Sequence, residues 1–295
     1  MGRRSRNDAD VHGLAVVDKP AGMTSHDVVA SLRRTLGTRR VGHSGTLDPA
    51  ATGVLLLGVG KATRLLRFTD RCPKRYVATM RLGVETSTLD AQGEVTATHD
   101  MAGVTFEDVK AAVSTFCGVI EQIPPMVSAL KVDGRRLHEL AREGIEVERE
   151  PRSVTIHSLS VAPGSTPDRL DLDVLCSSGT YVRTLAADIG AALGGGAHVE
   201  TLRRLSIGDF TDDMATGLDD IELRPVGDLV AHLGHLEVDQ NDAARVGHGQ
   251  LLAPERFATL GEGPFAVIGP TGELLAVYER SADRIKPAVV LPPTS

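Results

Sequence analysis

Gly42-His43-Ser44-Gly45-Thr46-Leu47-Asp48-Pro49-Ala50-Ala51-Thr52-Gly53 is the stretch from which the rest of the chain is best read. Its glycines permit tight backbone turns, and Pro49 restricts Asp48 to an extended conformation, so the carboxylate is presented in a fixed direction. A carboxylate held this way can serve as nucleophile, general base or metal ligand, and a turn aspartate before proline is the reading these residues alone leave open beside it. Metal binding is the weakest of these, because only His43 accompanies Asp48 and no second carboxylate or histidine follows at ligand spacing.

Upstream, residues 13–18 read as a short apolar strand closed by the turn Lys19-Pro20-Ala21-Gly22. Thr24 or Ser25 then caps a helix with Asp27 in its first turn, Val28, Val29, Leu32 and Leu36 on one face, and a stop at Gly37. Residues 40–53 are expected as a loop, 54–59 as an apolar strand and 61–69 as a basic helix. Residues 74–82 alternate as a strand, and 93–98 are expected to return beside it. Thr105 with Asp108 caps a helix ending near Gly118. After Pro124-Pro125, residues 128–150 are dense in charge and poor in core residues, an excursion from the main body. Residues 154–161, 170–176 and 199–207 read as strands and 181–193 as a helix. The pattern predicts a mixed α/β sheet and not a simple βαβ series. Beyond about residue 236 the predicted elements are short strands and turns, a small β-rich module.

Apolar residues make up 41% and charged residues 24% of 295, which allows a sizeable core and favours two domains. No run approaches a membrane-spanning length. Three cysteines, Cys72, Cys117 and Cys176, stand far apart and in no C-x-x-C pair, which argues against a disulfide framework or zinc site and for the cytoplasm. Residues 1–12 are expected as a disordered basic tail. The net charge of −7 hides an asymmetry: residues 1–75 carry 14 Lys/Arg against 6 Asp/Glu, so the basic clusters there are candidates for one phosphate-facing surface. Gly58-Val59-Gly60-Lys61 fails the phosphate-loop pattern, since Leu55 and Ala62 stand where glycine and Ser/Thr are required. His232 and His235 are expected as ordinary helix surface.

The loop, together with the segments around it, resembles the bacterial tRNA pseudouridine-55 synthase (TruB) family. Asp18-Lys19-Pro20-Ala21-Gly22 with Thr24-Ser25 is similar to the family's opening pattern, and Gly42 to Pro49 to its G-H-x-G-x-L-D-P loop. Lys74-Arg75-Tyr76 follows, then Gly83, Thr86, Thr88, Asp90 and Gly93. The insert signature stands at Pro124-Pro125-Met126, Ser128-Ala129-Leu130-Lys131, Gly134 and Ala141-Arg142-Glu143-Gly144. Gly179-Thr180-Tyr181-Val182-Arg183 and Leu202-Arg203-Arg204 complete the set, which spans about residues 13–210. Val127 departs from it, standing where many members have an aromatic. A shorter resemblance, at Val246-Gly247-His248-Gly249-Gln250 and residues 272–278, is to PUA-type RNA-binding modules.

This resemblance implies an α/β (α+β) pseudouridine synthase fold: a catalytic domain at 13–235 with an RNA-gripping insert at about 124–152, and a PUA-like domain at 236–295. It implies isomerisation of uridine 55 in the tRNA T-loop, with Asp48 as nucleophile, no cofactor and no metal. The target base must leave its stack before Asp48 can reach it. Tyr76 would then stack on it, Tyr181 and Leu202 would line the pocket, and Arg183 would keep Asp48 ionised. His43 would support the vacated space, Lys19 would brace the loop, and Lys131, Arg135, Arg136 and Arg142 would grip RNA. The expected partner is the tRNA T-arm alone, with a cytoplasmic monomer that needs no membrane and no protein partner. Two other readings compete: an RNA chaperone whose catalysis is not essential, and a nucleoside or glycoside hydrolase, which would want a second working carboxylate.

Overall fold

Period-two alternation is clearest at Lys74–Leu82, and there it yields a strand whose even-numbered side chains are buried while the odd-numbered ones are exposed or half-buried. The computed structural model describes residues 10–128, 131–132, 134–137, 140, 143, 145, 147–281 and 284–291. In chain order the strands are β1 (Gly13–Lys19), β2 (Val41–Ser44), β3 (Thr52–Val59) and β4 (Lys74–Leu82), then the pair β5 (Val84–Thr86) and β6 (Val95–Thr98). β7 (Gly118–Gln122) precedes the insert, which carries the two-residue strands β8 (Lys131–Val132) and β9 (Arg135–Arg136). β10 (Arg152–Pro163), β11 (Arg169–Cys176), β12 (Ala197–Ile207) and β13 (Phe210–Thr211) follow, and β14 (Gly234–Glu237), β15 (Phe265–Ile268), β16 (Leu274–Ser281) and β17 (Arg284–Val290) form a separate sheet. Four α-helices described from end to end are α1 (Ser25–Thr35), α2 (Phe106–Ser114), α3 (Val182–Ala192) and α4 (Gln240–Gly247).

The main sheet runs β1-β3-β12-β4-β11-β10-β7, with β2 added to β3 and β13 to β12. Among its paired strands, β3 and β12 run parallel, with Thr52 and Gly53 facing Arg203 and Arg204. This makes the sheet mixed, as the sequence predicts. The close approach needs glycine at 53: its φ is +101°, and a Cβ there would lie 2.1 Å from the Arg204 carbonyl oxygen. The residues between β2 and β3, 45–51, therefore leave the sheet beside the β3–β12 contact.

α2 and α3 cover one face of the sheet, where Val109, Val113, Leu185 and Ile189 meet Met80, Leu172 and Val174. α1 packs on β1 and β3 through Val28, Val29 and Leu32. Its N-terminus is a capping box, Thr24 with Asp27, and α2 opens with the same device, Thr105 with Asp108. A further cluster joins the main sheet to the C-terminal sheet, with Leu56, Leu66 and Phe68 against Ala266, Val277 and Val289. Each such leucine, valine or phenylalanine, fully buried, contributes on the order of 1.5–3 kcal/mol.

Several local expectations fail for identifiable reasons. Residues 41–44 are strand and not loop, because their backbone pairs with Val59 through Leu56. Residues 61–69 form no continuous helix: the chain folds back so tightly that a Cβ on Gly58 would lie 2.9 Å from Ala62, and two 3₁₀ turns, Gly60–Arg64 and Leu66–Thr69, result. β6 pairs with β5, since both edges of β4 are already taken by β11 and β12. His235 lies in β14 and not on a helix, and His232 hydrogen-bonds with the Phe68 carbonyl at 3.2 Å. Several side chains of the basic clusters are engaged within the protein. Arg64 donates to the Val290 carbonyl, Arg67 pairs with Glu279 and Arg75 with Asp173, while Lys74 is buried.

Candidate active site

The loop at residues 45–51 is tied down at Gly45, Leu47, Asp48 and Pro49. Lys19 is fully buried, and its ammonium donates to the carbonyls of Pro20, Met23 and Pro49 at 2.8, 2.7 and 3.2 Å, which uses all three N–H groups. The Gly22 amide also donates to Pro49, at 2.8 Å. Ser25 Oγ accepts from the Leu47 amide and donates to the Leu47 carbonyl. Arg204 donates to the Gly45 carbonyl at 2.9 Å. Residues 18–25, read as an opening motif, thus act locally as the clamp on residues 47–49. Asp18 itself pairs with Arg203, joining the first motif to the last.

Asp48 stands at the end of this clamp, and Arg183 Nε lies 2.9 Å from its Oδ2. The Arg183 side chain is only 5% exposed, against 37% for Asp48, so a buried cation addresses a carboxylate still open to a ligand. The remaining guanidinium donors are also placed: Nη1 faces Asp90 Oδ2 at 3.2 Å and the Thr88 carbonyl at 2.7 Å, and Nη2 donates to the Val127 carbonyl at 2.9 Å. Arg183 occupies the first turn of α3, where the helix dipole disfavours a cation; two carboxylates offset that cost. Burial pushes the Asp48 carboxyl above its ordinary value, Arg183 opposes the shift, and Asp90 adds to it.

A cavity of about 280 Å³ opens beside Asp48, walled by Tyr76, Tyr181, Arg183, Leu202, Lys74 and Arg204. Tyr76 comes from β4 and Leu202 from β12; Ala78, two residues from Tyr76, faces Leu202 in the sheet. Burial raises the pKa of both phenols, so both stay protonated and uncharged; Arg204 beside Tyr76 pulls the other way. Gln122, itself buried, holds Tyr181 in place by accepting from its amide at 3.0 Å and donating to its carbonyl at 3.3 Å.

Of the residues singled out in the sequence, Asp48, Tyr76, Tyr181, Arg183 and Leu202 meet in this cavity, with Lys19 behind the loop. His43 is not in its wall; its ring lies edge-on to His26 at 5.2 Å. In the insert, Lys131 and Arg136 lie on β8 and β9, Arg135 pairs with Glu143, and Arg142 falls outside the described residues. Val127 enters through its backbone, the acceptor for Arg183, for which side-chain identity is immaterial. Three residues near the site had no role assigned from sequence. Asp90 stood in a noted motif, held here by Thr88 Oγ1 at 2.6 Å and the Gln92 amide at 3.0 Å. Lys74 and Arg204 were reachable by strand parity, since each lies two positions from an assigned wall residue, Tyr76 and Leu202.

Comparison with known proteins agrees with this geometry. Residues 33–182 match the TruB family pseudouridylate synthase N-terminal domain, 183–225 the tRNA pseudouridylate synthase B C-terminal domain, and 233–292 the tRNA pseudouridine synthase II C-terminal domain. The chain is 46% identical over 293 residues to tRNA pseudouridine synthase B of Rhodococcus jostii (strain RHA1), covering 96% of this chain and 95% of the relative. It is 43% identical over 290 residues to the protein of the same name from Thermobifida fusca (strain YX), covering 94% and 98%. Among solved structures, a Cbf5–Nop10–Gar1 complex contains a chain similar to it, with a TM-score of 0.72 at 26% identity over 95% of this chain and 85% of that one. The chain belongs to the TruB family of pseudouridylate synthases.

Proposed function

We propose that the chain is a tRNA pseudouridine synthase that isomerises uridine 55 of the T-loop, with Asp48 as nucleophile. The observation that carries the reading is a half-open carboxylate, paired to a buried Arg183 and facing a nucleotide-sized cavity lined by two tyrosines. Isomerisation breaks the C1′–N1 bond, turns the uracil and joins C1′ to C5 as the C5 proton leaves and N1 takes one up, with no redox change and no net loss of any group. Asp48 either captures C1′ or adds at C6; both routes need an ionised carboxylate on a stiff mount. Arg183 supplies the counter-charge, Tyr76 stacks on the flipped base, and Tyr181 and Leu202 close round it. His43, from the strand that leads into the loop, supports the space the base vacates.

The hydrolase reading would need a second carboxylate free to act as acid or base. Asp90 is near, but it is occupied by Arg183, Thr88 and Gln92, which supports isomerisation. In the same proposal residues 13–235 are the catalytic domain, 124–152 an RNA-gripping insert acting through Lys131, Arg135, Arg136 and Arg142, and 236–295 a PUA-like RNA-binding domain. The working unit is a cytoplasmic monomer whose one macromolecular partner is tRNA. The test is incubation with unmodified tRNA, followed by site-resolved pseudouridine mapping and mass spectrometry. Pseudouridine at position 55 with unchanged RNA mass is expected; loss of the base, or modification elsewhere only, would overturn the reading.

A further inference from the structure

We infer that Lys74, flanked by Arg204, binds the carbonyl-oxygen edge of the target pyrimidine and stabilises the negative charge that builds there as the base is detached or attacked. The inference rests on the pseudouridine synthase reading and adds a contact to it. Lys74 is 5% exposed and Arg204 1%, yet both line the cavity. Arg204 has its Nε on the Val54 carbonyl at 2.7 Å and Nη2 on the Gly45 carbonyl at 2.9 Å. The Lys74 ammonium, among the described residues, has one long hydrogen bond, 3.4 Å to the Cys72 carbonyl, and two donors left over. Gly45, with φ +69°, lies between them: a Cβ there would be 3.4 Å from both Lys74 Cε and Arg204 Nη1. Two basic groups are thus buried together; burial and Arg204 lower the Lys74 pKa, Asp70 offsets part of that, and an acceptor carrying negative charge in the cavity would complete the arrangement.

Asp48 and Lys74, both in the cavity wall, have different charged neighbours. Asp48 sits among Arg183, Asp90 and Lys19, whereas Lys74 sits among Arg204, Cys72, Asp70 and Cys176. A nucleotide whose C1′ and C6 face Asp48 points its O4 across the ring, toward Lys74. If C1′–N1 breaks, the electron pair stays on the base and spreads to O2 and O4; if the carboxylate adds at C6, the C5–C6 π pair shifts into C4–C5 and the C4–O4 π pair moves onto O4. In both cases an oxygen gains charge, and Lys74 answers by donating a hydrogen bond, with no proton lost.

The experiment is single-turnover conversion of a T-stem-loop RNA carrying uridine or 5-fluorouridine at the target, by wild type, Lys74→Met and Lys74→Gln. Fluorine already stabilises charge on the base, so it should lessen the need for the lysine. Lys74→Met is expected to slow uridine conversion by at least about 50-fold but 5-fluorouridine consumption by less than about fivefold. RNA affinity should stay within about twofold, and Tm should be equal to or above that of wild type, since a buried charge only partly offset by Asp70 is gone. Lys74→Gln, which keeps a donor, should fall between. An equal loss on both RNAs, weakened RNA binding or a lowered Tm would make Lys74 a phosphate contact or a scaffold residue and overturn the inference. A wild-type protein that converts neither RNA overturns the isomerase reading itself.

Discussion

Around Asp48 the contacts are polar and directional: an ammonium on three carbonyls, a serine on both sides of one peptide, a guanidinium on two carboxylates. Under β15 and β16 they are apolar, with Phe257, Phe265, Tyr278, Val246 and Val267 closed against one another and the aromatic centroids 5.1–5.8 Å apart. Hydrogen bonds each contribute little net stability but fix angles, whereas apolar burial stabilises strongly without fixing an angle. The loop spends its contacts on aiming one carboxylate; the module spends them on staying folded. Substitutions in the two regions should therefore damage different things.

The sharpest test of that division, short of removing the nucleophile, is Arg183→Met. The turnover rate at neutral pH is expected to fall by roughly 10³-fold, as for loss of a preorganised charge partner. Asp48 and Asp90 would then repel without a cation between them, raising the Asp48 pKa further, so the acid limb of the pH–rate profile should move to higher pH. A limb that stays in place would break the argument. Next in size is Phe257→Ala, a fully buried aromatic that should cost about 3–5 kcal/mol of stability in denaturant titrations. Its rate on saturating short stem-loop RNA should stay within about twofold, because no catalytic contact is touched; a larger loss would mean the regions are coupled. The smallest effect is expected at His43, whose pKa burial, His26 and Arg204 hold down at about 4. Neutral His43 contributes stability that is complete above pH 6.5 and declines as pH falls from 6.5 toward 4, by up to roughly 3 kcal/mol. Stability measured at pH 7 and 4.5 should therefore differ less in His43→Gln than in wild type.

Much of this was legible in the sequence where the signal is local. Thr24 with Asp27 and Thr105 with Asp108 announce helix starts because the capping hydrogen bonds lie within three residues. The alternation of 74–82 announces a strand. What escaped depends on distant partners. Residues 41–44 look like loop until β3 offers them a ladder, and α4 buries a single side chain, Val246, so it has no apolar period to read. At the site, a pattern of motifs named the cavity wall, but the sharing of Arg183 by Asp90 arises only when the loop carrying Asp90 meets β12 at Val199, and the burial of Lys74 beside Arg204 only when β4 and β12 lie side by side.

The most direct measurement is a paired one on Asp48→Asn: equilibrium binding to unmodified tRNA and pseudouridine formation from the same bound RNA. The account predicts affinity within a few-fold of wild type, because the exchange leaves the cavity wall in place, and no product after prolonged incubation. Pseudouridine formed by that variant would contradict it.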